Sequence, residues 1–171
     1  MERYQGRVLA VVAGMLHDRE AALEVTQEVF LKAYRSLDRF KGDASFYTWL
    51  YRIAINQSID YQRREARRPA AESRREGVGG EEGREEPLAR LASEDPTADP
   101  FRAASDAEML RRMRQAMDEL TPDHKAVIVL RELEGLSYEE ISQVMRCSKG
   151  TVMSRLHYAR KKLQARLKEF R

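Results

Sequence analysis

The chain has 171 residues, 42% of them hydrophobic and 35% charged, with one cysteine and a formal net charge of +3, which suits one domain or two very small ones. A lone cysteine excludes a disulfide scaffold and points to the reducing cytoplasm. The run Val8 to Leu16 is far shorter than the ~20 residues that span a bilayer, and His17-Asp18-Arg19-Glu20 follows it in place of a small-residue cleavage site, so membrane insertion and export are not expected.

The modest net charge hides segments of opposite sign. Residues 1–64 hold ten basic and eight acidic side chains, 65–104 hold seven and ten, and 105–171 hold fourteen and ten. From Arg146 to Arg171 nine Lys/Arg face a single acid, Glu169, and blocks of this kind suit phosphate.

In the first segment apolar residues recur at helical spacing: Val8, Val12, Met15; then Ala22, Val25, Val29, Ala33 with Leu37; then Phe46, Trp49, Ile53. Three helices are predicted, the third capped by Ser45 or Asp43. Residues 65–104 carry four of the five prolines and four of the nine glycines with almost no large apolar side chain, and read as a flexible acidic linker between two small domains.

The last segment opens with Met109, Leu110, Met113, Ala116, Met117 and Leu120 at helical spacing, stopped at Thr121-Pro122, which caps and starts the next helix. Ala126 to Leu130 taken alone could be a strand, but that cap and Gly135 bracket a helix. Ser137 and Glu140 form a capping box for a short helix carrying Ile141 and Val144. After a tight turn at Arg146-Cys147, Ser148 caps a last helix that buries Val152, Leu156, Ala159 and Leu163. The fold class is therefore all-α: two helical domains over 1–64 and 105–171, joined by the linker.

A short helix, a tight turn and a longer basic helix have the arrangement of a helix-turn-helix, whose second helix enters the major groove. Lys149, Met153, Ser154, His157 and Tyr158 are left free to face bases, with Arg155, Arg160, Lys161 and Lys162 in reach of phosphates. A solvated amphipathic helix is the plainer reading. The first domain holds a different signal, six of the chain's thirteen aromatics between Phe40 and Tyr61, interleaved with Arg52, Arg63 and Arg64. Rings among cations suit unstacked bases, each stack being worth about 1 to 3 kcal/mol, although Phe46, Trp49 and Tyr61 would serve equally as core.

Three stretches, Gln27 to Tyr34, Phe40 to Asn56, and Leu133 to Leu156, resemble regions 2 and 4 of the bacterial extracytoplasmic-function sigma factors of the sigma-E type. The resemblance covers everything but the linker and implies an RNA polymerase specificity subunit that directs promoter recognition and strand opening, working in the cytoplasm. It implies that Glu24, Gln27 and Glu28 contact the beta-prime clamp of core polymerase, that Phe40 to Phe46 captures a flipped base of the −10 element, and that Tyr51 and Asn56 read that element beside Arg52 and Arg63. The helix-turn-helix (Lys149, Met153, Ser154, Arg155, His157, Tyr158, Arg160, Lys161) would read the −35 element. The beta flap and an anti-sigma factor are the further partners implied.

Three departures from the family pattern are expected to matter. The chain starts near the end of the family's first helix and would lack the segment before it. Arg146 stands where Gly is usual, at a cost of about 1 kcal/mol if the position is left-handed. Met153 stands where Lys or Arg is common, shifting −35 specificity toward Ser154, His157 and Tyr158. No enzyme, cofactor or metal site is expected: His17, His124 and His157 are scattered, Cys147 sits at a packing position in the turn, and no Gly-rich phosphate loop occurs. The competing function is an operator-binding regulator, which would bind duplex DNA unaided and have no use for the aromatic cluster.

Overall fold

The computed structural model describes residues 2–67 and 100–168, which form seven α-helices and, among the described residues, no strand. The first unit is α1 (Glu2–Leu16), α2 (Arg19–Arg35) and α3 (Phe46–Glu65). Val8, Val11, Val12 and Met15 of α1 are fully buried along one stripe, against Val25 and Val29 of α2 and Leu50, Tyr51 and Ala54 of α3. His17 ends α1 in a left-handed conformation (φ 59°), its N–H donating to the Ala13 carbonyl at 3.0 Å. Asp18 then caps α2 by accepting from the Glu20 N–H. Leu37 leaves the stripe expected of it, because α2 stops at Arg35 and a 3₁₀ turn (Leu37–Arg39) turns the side chain outward. Of the two cap candidates for α3, Ser45 takes the role, its Oγ accepting from the Thr48 N–H at 3.1 Å.

The second unit is α4 (Pro100–Asp118), α5 (Pro122–Ile128), α6 (Tyr138–Met145) and α7 (Lys149–Lys168). Helix α3 runs to Glu65 and α4 starts at Pro100, so helix enters the expected linker at both ends, and its remainder, 68–99, lies outside the described residues. The apolar run Ala126 to Leu130 is helical, as its cap requires, and passes into a π turn (Val129–Leu133) closed by Gly135 at φ 69°. The Ser137–Glu140 capping box is complete, and the Ser137 N–H holds the Glu140 carboxyl below the usual carboxylate range. Arg146 is left-handed (φ 50°, ψ 47°), which a Cβ resists.

The two units are packed together, and one set of buried apolar side chains runs through both. Gly14 makes the closest approach possible: a Cβ there would meet the Val129 methyls at 3.1 and 3.3 Å. Beside it Lys125 is buried, donating to Asp118 Oδ1 at 2.8 Å and to the Met15 carbonyl at 3.4 Å, with His17 Nδ1 2.9 Å from the same Asp118 oxygen. Among the described residues no helix is long and apolar enough to cross a membrane.

Two expectations arise here. Burial, and then the Lys125 ammonium and Arg114, hold His17 below its ordinary value against the opposing pull of Asp118. A neutral ring in the packed chain and a readily protonated one in the unfolded chain give a contribution that is full above about pH 6.5 and lost as pH falls below it. The thermal midpoint should therefore drop between pH 7.5 and 5.5, and His17→Asn, which tolerates the left-handed backbone, should flatten that drop; an undiminished drop contradicts the assignment. Arg146→Gly should raise stability by about 1 kcal/mol, read by denaturant melts, whereas a loss would show that the Arg146 side chain contributes more than its backbone strain costs.

Candidate nucleic-acid interface

Helix α7 buries Val152, Leu156 and Ala159 and exposes Lys149, Met153, Ser154, His157, Tyr158, Arg160 and Lys161. The Ser148 Oγ accepts from the Thr151 N–H at 3.1 Å, fixing the entry of the helix just after the left-handed Arg146. Several of its cations are paired with carboxylates of the same unit: Lys149 with Glu139, Arg160 with Glu132 at 2.6 Å, Arg166 with Glu119 at 2.7 Å. Arg155 differs from the others. It is half-buried, with one guanidinium nitrogen 2.5 Å from Asp123 Oδ2 and another 3.9 Å from Cys147 Sγ, so it ties the start of α5 to the turn before α7. Met153 is exposed beside the His157 and Tyr158 rings, which meet edge to face at 5.7 Å.

The expected aromatic cluster is assembled at the start of α3. Phe46 packs against Phe40 at 5.7 Å, Trp49 at 5.5 Å and Tyr4 at 5.1 Å between ring centroids, and Tyr4 reaches Tyr47 at 4.8 Å. Of the two readings of Trp49, its packing supports the core one: the half-buried ring lies against the core and 5.3 Å from the Phe40 ring. Asn56 and Arg63 are exposed on α3. Tyr51 and Arg52 are not free. The Tyr51 side chain is buried and its hydroxyl donates a short hydrogen bond to Glu134 Oε2 of the second unit, burial and that carboxylate pushing the phenol pKa up.

Arg7 completes the contact. Its Nε lies 3.1 Å and a terminal nitrogen 3.0 Å from the same Glu134 oxygen, and its guanidinium stacks 4.6 Å over the Tyr47 ring. Arg52 donates to the Gln143 carbonyl of α6 at 2.9 Å, while its buried Nε has no partner. Burial and then Arg146 pull its guanidinium below the ordinary value. Neither Arg7 nor Glu134 was legible as a site residue, because nothing in local spacing tells that positions 127 apart meet.

On α2, Glu24 and Gln27 are exposed and Glu28 is half-buried, bonded by the Gln57 amide at 3.1 Å and 3.6 Å from an Arg64 nitrogen. Leu31 and Tyr34 continue the Gln27 stripe at i+4 and i+7 and are 56% and 70% exposed, an apolar patch that a polar-residue search passes over. Among the described residues no group of three or more His, Cys, Asp or Glu is placed to hold a metal ion.

Comparison with known proteins matches residues 1–68 to Sigma-70 region 2 and 110–163 to Sigma-70 region 4. The chain is 40% identical to the RNA polymerase sigma-H factor of Pseudomonas aeruginosa, over 98% of this chain and 86% of that one. It is 38% identical to the sigma-E factor of Escherichia coli K12, over 92% and 79%. The fold is that of the sigma factor RpoE of Bartonella quintana, solved with the anti-sigma factor NepR (TM-score 0.68, 24% identity, 98% and 93% covered), and of CnrH, solved with the cytosolic domain of CnrY (TM-score 0.62, 27% identity, 98% and 84% covered). With both regions in order and relatives alike over nearly the whole length, the chain belongs to the extracytoplasmic-function RNA polymerase sigma factors.

Proposed function

We propose that this sigma factor docks on core RNA polymerase through the outer face of α2 and reads promoter DNA with α3 and α7, only after its two units part. The observation that carries the reading is how the surfaces are divided. Glu24, Gln27, Leu31 and Tyr34 are exposed in the packed chain and Glu28 is half-buried against Gln57 and Arg64 of the same unit, so the acidic and apolar patch offered to the beta-prime clamp is available at once. Tyr51 and Arg52 are held by Glu134 and Gln143 of the other unit, so that part of the −10 surface is covered. Core polymerase, with the clamp taking the first unit and the beta flap the second, supplies the separation.

Arg52 favours that separation. A buried, unpaired guanidinium nitrogen costs about 1 to 3 kcal/mol, a cost removed when the side chain meets water or phosphate. On α3 the exposed Asn56 amide offers the donor and acceptor pair that a base edge requires, beside rings on which unstacked bases can rest. On α7 Lys149, Ser154, His157 and Tyr158 present hydrogen-bonding groups to the −35 element around an apolar Met153, while Arg160 and Lys161 face phosphates and Arg155 positions the helix. The chain supplies binding and no catalytic chemistry, in the cytoplasm. An anti-sigma factor is its regulatory partner, as the related sigma factor solved with NepR has one.

Reconstitution with core polymerase tests the reading: transcription should start at a promoter with the chain present and not without it. Asn56→Ala should leave core binding intact and impair strand opening by about 1 to 3 kcal/mol, or roughly 5- to 150-fold, read by permanganate reactivity of unpaired thymines. Unchanged opening, or loss of core binding in its place, would show Asn56 to be structural. Tight sequence-specific duplex binding by the chain alone would favour the operator-binding regulator.

A further inference from the structure

The Glu134 carboxylate occupies a cradle built entirely by the other unit. Three donors converge on one oxygen: Arg7 Nε, an Arg7 terminal nitrogen and the Tyr51 hydroxyl. Only 5% of the Glu134 side chain is exposed, so the anion has exchanged water for these donors. The donors are held in advance. The Arg7 guanidinium is seated on the Tyr47 ring, Tyr47 packs on Tyr51 at 5.9 Å and on Tyr4 at 4.8 Å, and Tyr51 is fixed in the core of α3. When the units part, Glu134 leaves and the cradle stays.

We infer that the Arg7–Tyr51 cradle is a binding site for one backbone phosphate of single-stranded DNA, and that Glu134 is an intramolecular stand-in for that phosphate. A guanidinium with two N–H groups aimed at one anion, plus a hydroxyl donor, suits phosphate as well as carboxylate. Its position favours a nucleic-acid strand over a small free anion. The rings run without a break from the cradle through Tyr47 and Tyr4 to Phe46, Phe40 and Trp49, so a strand with bases resting on that platform carries its backbone along its edge, where the cradle lies. The inference rests on the proposed reading that α3 handles opened promoter DNA, and it adds Arg7, a residue of α1, to that surface.

The test is a double-mutant cycle on the full chain, measuring fluorescence anisotropy of a mixed-sequence 20-nucleotide single-stranded DNA against salt, with inorganic phosphate added at matched ionic strength in a parallel arm. Glu134→Gln should tighten binding and steepen the slope of log affinity against log salt by about one, the mark of one added phosphate contact. Arg7→Gln in that background should remove the added slope, while in the otherwise native chain, where the cradle is already filled, it should change the slope little. Gly14→Leu, which drives the units apart at Val129 without touching the cradle, should reproduce the gain of Glu134→Gln, and Arg7→Gln should again cancel it. Equal gains with and without Arg7 would overturn the inference by showing mere loss of a repelling charge, and so would no gain in either opened variant. Inhibition of Glu134→Gln by inorganic phosphate that is clearly stronger than its effect on the chain lacking both Glu134 and Arg7 overturns the strand-specific assignment. Strand opening that depends on Asn56 but not on Arg7 sinks this inference alone, whereas a reconstituted polymerase that never opens DNA sinks the proposed function and leaves the cradle measurement standing.

Discussion

One carboxylate oxygen gathers three donors across the seam between the two units of this sigma factor. Glu134 Oε2 accepts from Arg7 and from Tyr51, with the carboxylate almost wholly buried and the Arg7 side chain half exposed. Gly14 lets α1 approach the π turn that carries Val129 and leads to Glu134. Gly135, left-handed, ends that turn so that Glu134 points into the first unit and the chain can start its capping box two residues later. The Glu134 carboxylate is nearly out of water, so removing its donors would leave a buried charge unmatched. Exchange of one anion for another avoids that cost, which makes the contact suited to alternate between two states.

The same interface contains its own opposition. Arg52 faces a carbonyl and the Arg146 guanidinium, and among the described residues its Nε has no partner. Lys125 is buried with an anion, Asp118, that is itself half in water, and burial and the Lys125 charge hold the His17 pKa below its ordinary value. Apolar packing through Val129, Leu130 and Val12 holds the units together; these polar groups set how easily they part. On the proposed reading polymerase exploits this balance, taking hold of an outer α2 face that packing leaves open.

Much of the architecture was legible because it is local. Ser45, Thr121, and Ser137 with Glu140 each mark a helix boundary through hydrogen bonds between residues three apart, Gly135 marks one through its left-handed backbone, and all of them act as read. Arg146 was legible as a strained position only through the resemblance, which puts Gly there. Leu37 was misplaced because helical periodicity continues past the point where Ser36 bends the chain. What spacing could not reveal was long-range: that Tyr51, an aromatic of the expected DNA face, is buried under another unit, that Arg7 belongs beside it, and that Arg155 is spent on Asp123. These depend on how two amphipathic bundles meet, which no single helix encodes.

The central claim is that one face of α3 serves the second unit and promoter DNA in turn. A disulfide between Gly14→Cys and Val129→Cys, in a Cys147→Ser background, would lock the packed state at its closest approach, where the methyls of Val129 come within 3.3 Å of a Cβ on residue 14, within the reach of a disulfide. The measurement is strand opening at a promoter by core polymerase charged with the oxidised and then the reduced protein. The account predicts that the oxidised chain fails to open DNA and that reduction restores opening; opening by the locked chain at the reduced chain's level would contradict it.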